Sequence, residues 1–171
     1  MRFTQFLPAL LLPLGLLTLA SGCNANEKLD SLFGTAGAQA AVAKPKKVTA
    51  YRLADNSFYQ PMVADYKTTA GPVEVDDDVA IQASKLLLDV DSYLWDAAKG
   101  CEPIFGVRLN FVQGDESTDV LFCFECDILT VYHQGKPIGG EDFDKIRPKL
   151  VEIVKKIFAD DQAIQRLKPE R

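Results

Sequence analysis

One histidine, His133, and one tryptophan, Trp95, are all that the 171 residues contain of those two types. A single imidazole excludes any mechanism that needs two. Basic residues are in deficit, with 19 Lys and Arg against 24 Asp and Glu and a net charge of −5. That balance argues against a nucleic-acid partner, because binding phosphate needs a basic face. The motifs of common chemistries are missing too: G-x-S-x-G, the phosphate loop, H-E-x-x-H and the dinucleotide fingerprint. A Ser-His-Asp arrangement would rest on His133 alone, which stands beside a turn with no nucleophile signature. No internal repeat of 20 to 50 residues is visible. The reading therefore names no catalytic residue and no cofactor. What remains is a foldable composition, 47% apolar and 25% charged, at about the length of one domain.

Charge is also missing near the start, where no acidic or basic residue lies between Arg2 and Glu27. The stretch from Phe3 to Gly22 is rich in Leu and ends Leu19-Ala20-Ser21-Gly22-Cys23. A basic start, an apolar run and small residues before a cut are the parts of a secretory signal. With Cys directly after the small residues, Ala20 to Cys23 resembles a bacterial lipobox. In that family of motifs the Cys is acylated and becomes the first residue of the mature chain. Two other readings stay open: an uncleaved membrane helix, which Pro8, Pro13 and Gly15 make less attractive, and an ordinary signal. On the lipobox reading, residues 1–22 are removed and Cys23 carries lipid. The mature chain then has 149 residues, 18 basic against 24 acidic side chains and a net charge of −6. Such a chain has no electrostatic pull toward anionic lipid, so the acyl chains alone would hold it to the membrane. Asn24, where an Asp favours inner-membrane retention in enteric bacteria, points weakly to the outer membrane. The expected location is the cell envelope, in the cell membrane or outer membrane, with the domain facing the periplasm or the exterior.

Residues 23–46 read as the lipidated N-terminus and a flexible tether. Gly34 to Ala43 is small and without period, although its Ala content permits a transient helix. One α+β domain is expected over 47–171. Val48 to Leu53 alternates as a strand, while Pro61, Gly71 and Pro72 leave Tyr59 to Val75 irregular. Asp76-Asp77-Asp78 opens a helix whose stripe runs from Val79 through Ala83 and Leu87 to Leu94, with Gly100 as its stop. The Asp triplet lacks calcium-loop spacing. Ile104 to Val112 alternates again, Gly114 to Ser117 is a turn, and Asp119 to Cys126 reads as a strand covered on both faces. Ile128 to Tyr132 continues it or forms another, and Gln134 to Pro137 is a turn. The last helix carries Ile146, Leu150, Ile153, Val154, Ile157 and Phe158, with Pro148 in its first turn. The expected fold is an antiparallel sheet of three to four strands with two main helices packed on it.

The cysteines are the sharpest chemical feature. Besides Cys23 there are Cys101, Cys123 and Cys126, the last two forming C-x-x-C. A catalytic redox pair, Cys123 and Cys126, would want its first Cys at the start of a helix. Here apolar, strand-like residues flank it on both sides. A metal site would have to combine Cys101, Cys123, Cys126 and His133, without the second close pair usual for zinc. A structural disulfide follows from hairpin arithmetic. With the turn near 114–117, Cys101 falls opposite about position 130, nearer Cys126 than Cys123. In a regular strand 123 and 126 face opposite sides, so one could bond Cys101 while the other enters the core. Buried reduced thiols or a 123–126 bond complete the alternatives. Glu125 and Asp127, two apart, read as a carboxylate pair on one solvent-exposed face. Trp95 reads as packing. The block from Cys101 to Cys126 also resembles uncharacterised exported bacterial proteins with a C-F-x-C motif, over roughly residues 80–165, and that resemblance implies no activity.

These readings converge on an exported, lipid-anchored envelope protein whose domain binds an envelope protein or ligand. The competing expectation is a thiol–disulfide oxidoreductase or a small metal-binding domain using Cys101, Cys123 and Cys126.

Overall fold

Alternating apolar residues build the middle of a sheet. The structure, a computed structural model, describes residues 21–95 and 97–170. In β3 (Val107–Gln113), Val107, Leu109 and Phe111 are buried and the residues between them are not. In β4 (Glu116–Cys123) every residue from Thr118 onward is buried, as befits a strand covered on both faces. β1 (Lys47–Leu53) lies on one side of this pair and β5 (Ile128–His133) on the other. Two further strands close the sheet, β2 (Thr68–Glu74) at one edge and β6 (Lys136–Asp142) at the other. The order is β2-β1-β3-β4-β5-β6, with every neighbouring pair antiparallel.

The expected three to four strands are six among the described residues, and both additions are edge strands. β2 carries Gly71 and Pro72, and β6 carries Pro137, Gly139 and Gly140. An edge strand needs ladder partners on one side alone, so it tolerates residues that would disrupt a central strand. β2 is also almost wholly exposed, so it shows no alternation between buried and solvated positions.

The helices correct the expectation as well. Two main helices were expected, whereas the described residues hold five short ones. α1 (Ser21–Phe33) and α2 (Ala36–Ala43) occupy the stretch read as a tether, and they are packed. Leu32, Phe33, Ala38, Ala41 and Val42 are buried, so the folded unit begins well before residue 47. Leu29, Leu32 and Phe33 fall at helical spacing and give α1 an apolar stripe. Gly34, at φ +68, ends it, and the Thr35 side chain then accepts from the Ala38 N–H to cap α2. The alanines of α2 have strong helix propensity, and their small side chains let the helix lie close to β3 and β4. Thr118 of β4 donates to the Ala38 carbonyl at 3.2 Å. The leader expected over 1–22 lies, up to residue 20, outside the described residues.

α3 (Asp77–Leu87) has Asp77 and Asp78 in its first turn and Lys85 in its last, which complements the helix dipole. It ends earlier than the stripe implied. Val90–Ser92 is a separate short turn, and Gly100 lies far beyond the helix end. α4 (Arg147–Ile157) holds Pro148 in its first turn and buries Leu150, Val151, Ile153 and Val154. α5 (Gln162–Gln165) is a single turn capped by Asp161. Helices α1 to α4 contribute to the main core with Val48, Ala50, Leu109, Phe111, Phe122 and Val131 of the sheet. On the second face Leu53, Tyr66, Phe105, Leu121, Cys123, Cys126 and Tyr132 form a smaller cluster.

Gly139 shows how tightly α1 is seated. A Cβ there would lie 2.1 Å from the carbonyl oxygen of Leu32. Gly139→Ala should therefore cost about 2 kcal/mol through overpacking, read as a lower urea midpoint. Gly100→Ala, where a Cβ meets nothing within 4 Å, should stay within about 0.5 kcal/mol of the parent. Equal midpoints for the two variants would show that α1 does not rest on β6.

Candidate functional site

β4 ends at Cys123 and the chain turns at once, so Cys126 does not extend the strand. The turn brings Cys126 back, and both residues join the same cluster on the second face. This replaces the expectation that they face opposite sides, which assumed a strand running to residue 126. Cys126 is bonded to Cys101, 25 residues earlier, with the two Cα atoms 6.1 Å apart. Cys123 is a buried free thiol, and its sulfur accepts the Cys126 N–H at 3.3 Å. The alternative redox pair, Cys123 and Cys126, is not joined. Reactive thiols sit at helix N-termini or in electropositive, partly exposed places. Cys123 instead closes a strand among Leu53, Tyr66, Phe105 and Tyr132.

Two cations hold the loop between β4 and β5. The Lys99 ammonium donates to the Cys126 carbonyl at 2.7 Å and also meets the carboxylates of Asp142, at 2.7 Å, and Asp144. Burial lowers the Lys99 pKa, but the hydrogen bonds it donates to Asp142 and Asp144, with their negative charge, outweigh it, so the pKa stands above its ordinary value. Burial, reinforced by the neighbouring Asp144, raises the Asp142 carboxyl despite Lys99. On the other side the Arg147 guanidinium donates to the Phe124 carbonyl at 2.6 Å and to the Asp127 carboxylate. Asp127 takes φ +55, the left-handed region in which Asp is among the better tolerated residues. Glu125 is exposed and Asp127 is fully buried. The two carboxylates therefore do not form the solvated pair expected of neighbours on one strand face.

His133 stands at the far end of the same hairpin. Thr118 pairs with His133 and Cys123 with Ile128, so five residues, about 17 Å of strand, separate the imidazole from Cys123. Its Nε2 lies 3.0 Å from Glu116 Oε2, and its Nδ1 lies 3.2 Å from the Thr118 hydroxyl. The metal set Cys101, Cys123, Cys126 and His133 is not assembled. Among the described residues no group of three or more His, Cys, Asp or Glu could hold a metal ion. Trp95 donates through Nε1 to the Val90 carbonyl at 2.7 Å and packs beside Tyr93 at 4.9 Å between ring centroids.

The second face carries polar groups that sequence reasoning passed over. Tyr66 and Tyr132 share a hydrogen bond of 3.0 Å, and Tyr132 donates to the Gln60 carbonyl at 2.5 Å. Burial pushes both phenols up. Farther along, Arg108 lies 3.9 Å over the Tyr51 ring and 3.4 Å from Asp119. Asp119 is 4% exposed. Burial pushes its carboxyl up to about 6, against the opposing pull of Arg108 and Asn110. A signal was present: Asp119 begins an apolar run, and charge at such a place needs a partner. Its partner, Arg108, sits in the alternating strand opposite.

The chain matches no protein-family model, no curated protein and no solved structure.

Two outcomes follow from this geometry. Alkylation of the native protein should leave the Cys123 peptide unmodified, and denaturation without reductant should open that one site while Cys101 and Cys126 stay linked. Rapid native alkylation of Cys123 would restore the thiol-enzyme reading. Cys101→Ser should cost about 3.5 kcal/mol of stability, the loop-closure value for a 25-residue separation.

The second outcome concerns Asp119. Its folded pKa lies above the unfolded value, so the folded state binds more protons between about pH 4 and 6. Stability should therefore fall as pH rises through that window. Asp119→Asn should remove that part of the slope. Carboxyl NMR should give a midpoint near 6 for Asp119, and a midpoint near 4 would show that water reaches it.

Proposed function

We propose that the chain is an exported, lipid-anchored envelope protein whose folded part is a binding or interaction module. The leader and Cys23 support export and anchoring: a basic start, an uncharged Leu-rich run and Ser21-Gly22-Cys23. Among the described residues no helix is long and apolar enough to cross a membrane. On this reading membrane contact comes from acyl chains on Cys23, and two such chains suffice for stable attachment. Export would also deliver the chain to a compartment where a Cys101–Cys126 bond persists.

One observation carries the module reading. The C-x-x-C loop is held by Arg147 at the Phe124 carbonyl and by Lys99 at the Cys126 carbonyl, with Cys123 sealed beneath it. A thiol oxidoreductase needs that loop open to a partner's sulfur. This arrangement uses sulfur as a staple and leaves the surface for recognition.

Intact mass tests the anchor. The mature protein should begin at Cys23 and carry acyl mass. Cys23→Ser should keep its leader and lack that mass. A mature chain starting elsewhere, or one with an unmodified Cys23, would refute the anchor.

A further inference from the structure

The α2–β1 junction and α3 enclose an open cleft of about 630 Å³, within the size range of small-molecule sites. Its lining is unusual for so acidic a chain. Lys44, Lys46, Lys47 and Lys85 all border it, against one carboxylate, Asp77. Lys47 meets Glu74 at 3.7 Å, but both groups are exposed, and such a pair contributes little. Among the described residues, Lys44, Lys46 and Lys85 have no ion-pair partner. The opening therefore carries excess positive charge on a protein whose net charge is −5.

Two further observations define what would fit. Ser84 lines the cleft, is 6% exposed, and its hydroxyl has no hydrogen-bond partner. A buried hydroxyl left unpaired carries a desolvation penalty, which an acceptor brought within its reach would remove. Beside it the floor is apolar, and Ile81 is left 53% exposed. Large apolar side chains in contact with water are stabilised by an apolar occupant.

We propose that this cleft binds an amphiphilic anion, a carboxylate or phosphate head joined to an apolar chain. The lysine rim supplies the charge, Ser84 a buried donor, and Ile81 the apolar contact. This deepens the binding-module reading and rests on it.

The test uses the acylated protein in nanodiscs of neutral lipid, with octyl phosphate as the probe, followed by calorimetry. Octyl phosphate should bind with an affinity that falls as salt is raised, and inorganic phosphate should bind about tenfold more weakly or not at all. Lys44→Ala with Lys46→Ala should weaken octyl phosphate about tenfold with the urea midpoint unchanged. Ile81→Asn should weaken it while sparing inorganic phosphate. Discs containing phosphatidylglycerol separate the sources. Loss of octyl phosphate binding there identifies a bilayer headgroup as the occupant, and unchanged binding identifies a diffusible anion. No binding of octyl phosphate, or equal binding by the double lysine variant, overturns the cleft proposal. The module reading fails by a different result, thiol–disulfide turnover of a reporter disulfide by the same preparation.

Discussion

The buried guanidinium of Arg147 is the contact on which the rest of the second face depends. It reaches three parts of the chain: the Phe124 carbonyl, the Asp127 carboxylate and the Lys168 carbonyl near the C-terminus. A buried ion pair gains little over a well-packed apolar pair, because desolvation offsets attraction. Losing one partner is another matter, since the other charge then stays buried and uncompensated. Arg147 thus fixes where the chain turns after Cys123, and the left-handed Asp127 follows from it. The turn in turn places Cys126 within reach of Cys101. Lys99 completes the arrangement from the opposite side by holding the Cys126 carbonyl between Asp142 and Asp144.

This order of dependence explains why the sulfur atoms sit as they do. β4 is apolar on both faces, so the sheet needs two covers. Helices supply the first. The second is assembled from the segment after β1, through Tyr66, and from the disulfide loop, through Phe105 and Cys126. Neither piece is a regular element with its own hydrogen-bond ladder. The Tyr66–Tyr132–Gln60 hydrogen bonds and the Cys101–Cys126 link hold them instead. Asp119 and Arg108 lie on the same face of β4 and β3, where burial strains the carboxylate toward protonation while the guanidinium opposes it.

Much of this was legible from residues alone, and the failures have physical causes. The inner strands announced themselves because each contrasts buried with solvated positions or is buried throughout. The edges did not, because one-sided pairing lets Pro72 and Gly139 sit where a periodic signal would be. α2 was hidden differently. Its alanines look like a spacer, since nothing in Ala36 to Ala43 contrasts a core face with a solvent face. The signal lay outside the helix, in Gly34 followed by Thr35, a helix stop followed by a cap. The loop after Cys123 was misread because its geometry is set by Arg147, about twenty residues away. No local pattern marks that contact.

The packing of α1 changes what an anchor at Cys23 would do. A flexible tether lets a domain roam over the bilayer at many orientations. Here Leu32 and Phe33 are in the core, and the helix runs back to Ser21. Nine residues of helix separate Cys23 from Leu32, about 13 Å at the usual rise. On the proposed anchoring, then, the domain stands close to the lipid surface with one end directed toward it, because α1 is bound into the sheet at Gly139. An acidic domain held within about two Debye lengths of an anionic surface is repelled by it only modestly at physiological salt. The anchor would need no basic patch beside it. Four lysines, Lys44, Lys46, Lys47 and Lys85, instead border the cleft at the α2–β1 junction, toward the opposite edge of the sheet from β6, where α1 is seated. On the proposed anchoring, that cluster of positive charge serves the cleft and not the attachment to lipid.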